Sequence, residues 1–442
     1  PLTGSVAAVS WYNRPLAGGH IDIPVRLGHV LAVLLGCQMT THQALGAPPA
    51  DGWPQWRGPN RDGKSLDTGL LKAWPEGGPK QVWKVDGLGT GYSTVSIGGG
   101  LIYTTGLVER TPGEKKSGRL FLTAADLTGK VKWRKDLCEA FIGSYRGARA
   151  TPTYDNGNLY LQSGKGLLGC YDAKTGETKW TRDNSEFGGK HANWGYTESI
   201  LILDDLAIVS PGGTNTFMVA LNKDTGKTEW QSETFGYPHY SSPIHVTYKG
   251  VRMLITAARS GIIGVDPKTG NILWTHAFAV GNVANCPDPA FSDGYVFWSV
   301  GYGKGCVCVE LSVDGDKVTA TEAWQNKDMI CHHGGYVILD GNIYGNHNKG
   351  MTCLDLKTGA VKWYDDAVGK GSVCYADGML YLLGEKEGKV GLAAASPDAF
   401  TLAGTFSIEG EGPSWAHPVV NDGRLYLRYG DNLYGFDVKA QP

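Results

Sequence analysis

Thr-Gly-x3-Trp occurs five times in this 442-residue chain, as Thr128-Gly-Lys-Val-Lys-Trp133, Thr175-Gly-Glu-Thr-Lys-Trp180, Thr225-Gly-Lys-Thr-Glu-Trp230, Thr269-Gly-Asn-Ile-Leu-Trp274 and Thr358-Gly-Ala-Val-Lys-Trp363. In four copies an Asx residue stands four before the glycine: Asp172, Asn222, Asp266 and Asp355. These are hairpin signals. The Asx side chain bonds the turn backbone, and glycine takes the left-handed position that a tight turn needs. The tryptophan then ends an outgoing strand, and its large ring needs burial that a neighbouring copy can supply. A recurring unit of this kind restricts the chain to repeat architectures.

Weaker copies fill the gaps. Trp83, Trp324 and Phe406 end equivalent strands, so the anchors fall at 83, 133, 180, 230, 274, 324, 363 and 406. Intervals of 39 to 50 residues match a four-stranded propeller blade. Each period carries a second hairpin signal, such as Asp155-Asn-Gly157, Ser292-Asp-Gly294 or Asn421-Asp-Gly423, followed by a short apolar strand. The C-terminal stretch from Trp415 to Asp437 offers three strands without a fourth. Lys80-Gln-Val-Trp-Lys-Val85 is a fourth strand without a blade. Joined, they complete an eighth blade and close the ring without an exposed edge. The expectation is an all-β, eight-bladed propeller of four-stranded antiparallel blades over residues 81–440. Its last blade is closed by the N-terminal strand.

Composition agrees and excludes alternatives. The 64 glycines are about twice the usual share of ~7%, too many for a mostly helical chain. They lack the three-residue period of collagen. A net charge of −2 with 10% aromatics argues against disorder and against nucleic acid. Residues 1–50 differ from the rest. Arg26 precedes the short apolar run Leu27–Gly36 and Cys37, which is the pattern of a secretory signal and too short for a spanning helix. Leu34-Leu-Gly-Cys37 is similar to a lipobox, with Cys37 as the lipid-modified residue. Cleavage near Ala44-Leu-Gly46 is the rival. Residues 51–80 are expected to pack on the propeller as a lead-in segment.

The Asp-x-x-Thr-Gly-x3-Trp repeats, at this period and eight times over, resemble the PQQ-type, or quinoprotein-like, propeller repeat family. Trp53-Pro-Gln-Trp-Arg-Gly-Pro-Asn-Arg-Asp-Gly63 is similar to the start of exported bacterial members. The resemblance implies one of two activities: a PQQ-dependent alcohol or sugar dehydrogenase, or an outer-membrane assembly lipoprotein without a redox cofactor. Location in the periplasm or at the outer membrane is implied with it.

A ligand site in a propeller is built where the strands cross from blade to blade around the channel. The residues at the channel mouth are read as Thr94, Thr151, Ser199, Ser242, Asp288, Gly335, Ser372 and His417, with Glu198 one step further out. The crossings add Arg146, Arg149, His191, Trp194, His239, Tyr240, His332, His333 and Trp415. Histidine and aromatics at a polar mouth suit a planar or anionic ligand, with Arg146 and Arg149 as carboxylate or phosphate partners. A wet, unoccupied mouth is the competing reading. For metal, His332 and His333 are adjacent, so a strand there would point them oppositely, and no other ligand is at metal spacing. The small residues six before the repeat glycine, Thr123, Cys170, Ala220, Gly264 and Cys353, read as a tight packing position, with Cys308 equivalent. Cys286 and Cys331 are a candidate disulfide of open connectivity.

A quinoprotein dehydrogenase needs a stacking platform, a divalent cation and a carboxylate base. Trp194 or Trp415 could stack on PQQ, and Asp288 with Asn285 or Asn282, or Glu198, could serve Ca²⁺ or act as the catalytic base. The family's adjacent Cys-Cys pair and a Cys-x-x-Cys-His module are both missing. The leading expectation is therefore an exported, monomeric, non-redox scaffold. It binds an envelope protein partner or a small polar or anionic ligand at the channel face, and touches membrane only through a lipid anchor. A PQQ-dependent dehydrogenase with PQQ and Ca²⁺ is the alternative.

Overall fold

In the computed structural model, residues 52–441 are described, apart from 112, 115 and 116. The signal run and Cys37 lie outside them. Eight four-stranded antiparallel sheets follow one another around a channel. The first seven blades span residues 96–139, 153–183, 201–231, 244–277, 290–326, 336–365 and 371–407, each sheet running in sequence order from its first strand to its fourth. The eighth takes three strands from residues 419–437 and its outer strand from Lys80–Val85. There Trp83 pairs with Gly435, so the expected closure is present. Among the described residues, no helix is long and apolar enough to cross a membrane.

The repeat works between blades as well as within them. Each Thr-Gly turn glycine has positive φ, and the tryptophan of the preceding blade lies against it. A Cβ on Gly176 would stand 2.9 Å from the Trp133 ring, one on Gly226 2.9 Å from Trp180, and one on Gly270 2.5 Å from Trp230. The indole N–H then donates to the same neighbouring turn: Trp180 to Lys223 O at 2.7 Å, Trp230 to Pro267 O at 2.9 Å and Trp324 to Leu356 O at 2.9 Å. Trp83 does the same across the closure, against Gly129 and onto Leu127 O. Glycine is thus required twice, for the backbone angle and for the approach of the ring. The exceptions precede blades without a Thr-Gly turn: Trp363 keeps only the N–H bond, to Ser396 O, and Trp274 has neither contact. Blade 5 extends its last hairpin to a turn at Gly315, and Trp274 instead meets Met253 Sδ of its own blade.

Across each outer strand pair, the tryptophan faces a small residue. Cys170 pairs with Trp180, Ala220 with Trp230, Gly264 with Trp274, Cys308 with Trp324 and Cys353 with Trp363. The expectation fails only in blade 1, where Ala124, not Thr123, faces Trp133. The cause is in the turn. Asp126 stands three before Gly129, one residue fewer than in the other copies, which shifts the count by one. The described cysteines are all free thiols, so Cys286 and Cys331 are unpaired.

Candidate functional site

The strand starts at the channel mouth form a hydrogen-bonded arc. Thr94 N donates to Thr151 Oγ1 (3.2 Å), Thr151 N to Ser199 Oγ (3.0 Å), Ser199 N to Ser242 Oγ (3.1 Å) and Ser242 N to Asp288 Oδ1 (2.5 Å). Two hydroxyls of the same set donate onward, Ser372 Oγ to Ala416 O and Thr94 Oγ1 to His417 O. The hydroxyls of Thr151, Ser199 and Ser242 each satisfy a backbone N–H of the preceding blade, which explains why small hydroxyl residues dominate these positions. Gly335 has no side chain to give. A Cβ there would stand 2.5 Å from Arg57 Nη1 and 3.0 Å from His417 Cε1, so its bareness admits both groups.

The far end of the channel is filled by the lead-in segment. Trp53 bridges to Ile97 of blade 1 and Lys64 to Tyr375 of blade 7. Between them, side chains reach up the channel. Arg61 donates to Ser199 O and Pro243 O, both at 3.0 Å, and to Ile200 O. Arg57 donates to Tyr336 O, and Trp56 Nε1 to Asp288 Oδ2 at 2.6 Å. The Trp56 ring lies 4.6 Å from His417. Burial lowers Arg61 to about 10. Burial also raises Asp288, opposed by Arg57 and the Ser242 and Trp56 donors.

Above this plug opens a cavity of about 120 Å³. It brings together Arg149, Trp194, Ser199, Tyr240, Ser242, Asp288, His333, Trp415 and His417 from the sequence-based set. Glu198 and the remaining crossing residues lie elsewhere. Arg146 pairs with Glu109 Oε1 at 2.8 Å and Ser117 O. His191 is exposed, against Phe141 and Tyr196. Glu198 is buried below, both oxygens 3.1 Å from Ser210 N, and burial raises it to about 8. His239 meets Asn285 Nδ2 at 3.0 Å and is pushed down to about 4 by burial. His332 stands behind Tyr302, its Nε2 2.8 Å from the hydroxyl. Arg149 lines the cavity, yet its donors go to Gly147 O, Ser144 O and Tyr145 O. It braces a loop in the position where a carboxylate partner was expected.

Sequence reasoning missed Trp56, Tyr92, Tyr145, Tyr302 and Cys286 as lining residues. The Gly301-Tyr-Gly303 triplet was one available signal: an aromatic flanked by glycines in an inner loop. Burial pushes the Cys286 thiol up to about 12, away from the thiolate form that reacts.

His332 and His333 are not in a strand, and their rings lie side by side at 3.6 Å, not opposed as a strand would place them. With Glu385 they form a converging donor set. Its cation is already present: Lys370 Nζ lies 2.9 Å from His332 Nδ1 and 2.6 Å from Glu385. Burial lowers His332 to about 4 and His417 to about 3, and pushes His333 well down, which favours the neutral imidazole in all three.

PQQ with Ca²⁺ does not fit these residues. Asp288 has one oxygen on Trp56 and the other on Ser242 N, and Glu198 holds Ser210 N with both. Arg57 and Arg61 extend into the same part of the channel, and a dication there would face two guanidinium groups.

The family model described as outer membrane protein assembly factor BamB matches residues 68–247 and 116–365. The quinoprotein alcohol dehydrogenase PedH of Pseudomonas putida is 25% identical over 231 residues, which cover 48% of this chain and 35% of that protein. The match therefore spans about a third of that relative's length. Among solved structures, BamB from Moraxella catarrhalis superposes with a TM-score of 0.58 at 14% identity, over 82% of this chain and 98% of that one. The quinohemoprotein alcohol dehydrogenase from Comamonas testosteroni gives 0.63 at 12%, over 90% and 82%. At these identities the structures attest to the fold alone.

Proposed function

We propose, because this chain belongs to the PQQ-like repeat family whose model is described as outer membrane protein assembly factor BamB, that it is an exported, non-redox scaffold. It recognises a ligand or an envelope protein partner at its channel face, and residues 1–50 serve as its export leader. One observation carries this reading above the dehydrogenase alternative. The carboxylate best placed for catalysis, Asp288, is hydrogen-bonded to Trp56 of the chain's own lead-in segment, while an aromatic cavity stays open above it. A committed carboxylate beneath an open cavity favours binding over chemistry.

The test is a titration with PQQ and Ca²⁺, followed by quinone absorbance and melting temperature, with dye reduction by ethanol or glucose. No saturable binding is expected. Saturation accompanied by dye reduction would restore the dehydrogenase. The positive arm places a photo-crosslinking residue at Tyr302, with Asp340 at the far end of the blades as control. Adducts with an envelope protein from Tyr302 alone support the channel face, and adducts from Asp340 alone refute it.

A further inference from the structure

Two tyrosines at the cavity mouth are held in a conformation that packing does not repay. Tyr145 (φ 55°) and Tyr302 (φ 58°) have left-handed backbone, unfavourable for bulky residues and concentrated at functional positions. Both are 57% exposed, so neither fills a core. Both are braced, Tyr145 by Arg149 donating to its carbonyl at 2.7 Å, and Tyr302 by His332 at its hydroxyl. Strain, exposure and bracing together describe rings presented to something outside the chain.

The surroundings limit what that is. Trp415 lies 5.0 Å from Tyr145 and 4.8 Å from Tyr92. Trp194 and Tyr240 contribute a second aromatic pair, 5.8 Å apart. For an anion, the guanidinium lining the cavity is Arg149, three of whose N–H groups are given to loop carbonyls, while Arg146 is paired with Glu109. A cation finds Asp288 already accepting two hydrogen bonds, with Arg57 and Arg61 close to it. The indole N–H of Trp415 is buried without a protein partner among the described residues, and a buried donor of this kind calls for an acceptor. A neutral ring with apolar faces and a hydroxyl edge answers each demand. Its C–H faces stack on aromatic rings, and its hydroxyls meet the indole and tyrosine polar groups.

We infer that this cavity binds a neutral pyranose ring of a glycan, with Tyr145 and Tyr302 as stacking platforms and Trp415, itself stacked on His333, behind them. The inference rests on the channel-face reading above and names its ligand class. Calorimetric titration of the full chain with maltotriose, cellotriose and chitotriose tests it, against benzoate, tetramethylammonium and the peptide Gly-Trp-Gly. At least one trisaccharide saturates, and Tyr145→Gly and Tyr302→Gly each weaken it about tenfold. Because glycine relieves the left-handed strain, both variants melt at or above the parent temperature. A marked fall in melting temperature would make the rings structural and overturn the inference. If no trisaccharide saturates while another probe does, the pyranose class falls and the channel-face site survives. If none of the six binds and the Tyr302 crosslinker is silent, both fall.

Discussion

Replacing Gly226 and Gly157 by alanine separates two reasons for a repeat glycine. Both have positive φ, 70° and 79°, so each substitution carries the left-handed penalty of about 1–2 kcal/mol. They differ in what a methyl group meets. At Gly157 nothing lies within 4 Å. At Gly226 the new carbon stands 2.9, 3.0 and 3.2 Å from Trp180 ring atoms, inside the ~3.5–4.0 Å of ordinary carbon contact. The indole must retreat by roughly 0.5–1 Å, which forfeits about a quarter to a half of the affected contacts. It also stretches the 2.7 Å bond to Lys223 O, worth about 1 kcal/mol. Gly226→Ala should therefore cost about 1–3 kcal/mol more than Gly157→Ala. Urea titration of both variants, monitored by fluorescence, measures the difference. Trp180→Ala closes a double-mutant cycle, and in that background Gly226→Ala should cost no more than Gly157→Ala. Equal costs in the parent, or a cycle without coupling, would refute the claim that blades dock ring-on-glycine.

Other expectations follow from the same structure. Arg428 is 1% exposed and ties blade 8 to blade 1 through Thr104, Thr105 O and Gly89 O; Arg428→Met strands these acceptors and should cost about 3–5 kcal/mol in urea titration. Removing the segment before residue 87 deletes the outer strand of blade 8 and should lower the melting temperature of the whole ring, whereas unchanged melting would refute closure by this strand. Glu198, raised by burial to about 8 from 4.5, keeps in the folded chain a proton that the unfolded chain loses, so stability falls as pH rises through that window. Buried histidines such as His239 and His332, lowered to about 4, act oppositely between about 4 and 6.5. The Glu198 effect is thus cleanest from pH 6.5 to 8, and Glu198→Gln should flatten stability there.

The blades were legible because their determinants are local and repeated. In four copies a turn glycine, an Asx four residues earlier and a tryptophan four later define one hairpin, and with the weaker copies eight anchors define the ring. The mouth positions followed by counting along each first strand. What escaped was non-periodic. Trp56, Arg57 and Arg61 contact residues 138 to 279 positions away, and no local pattern announces such partners. Residue type misled at Arg149, whose guanidinium suits a carboxylate but is consumed by three carbonyls of its own loop. The side-by-side rings of His332 and His333 depended on the segment not being a strand. Tyr145 and Tyr302 take their importance from backbone angles, and these carry no signature in residue type.

The lead-in segment has a consequence in time. Residues 53–65 leave the ribosome hundreds of residues before Asp288, Tyr336 and Tyr375, the groups that hold Trp56, Arg57 and Ser65. The outer strand Lys80–Val85 likewise waits for Asn432–Asp437. The first part of the ring to be synthesised is therefore among the last to be secured. At ~5–20 residues per second, Trp53 and Trp56 lack their final partners for many seconds. A chain with this order of completion depends, while it is being made, on whatever shields Trp53 and Trp56.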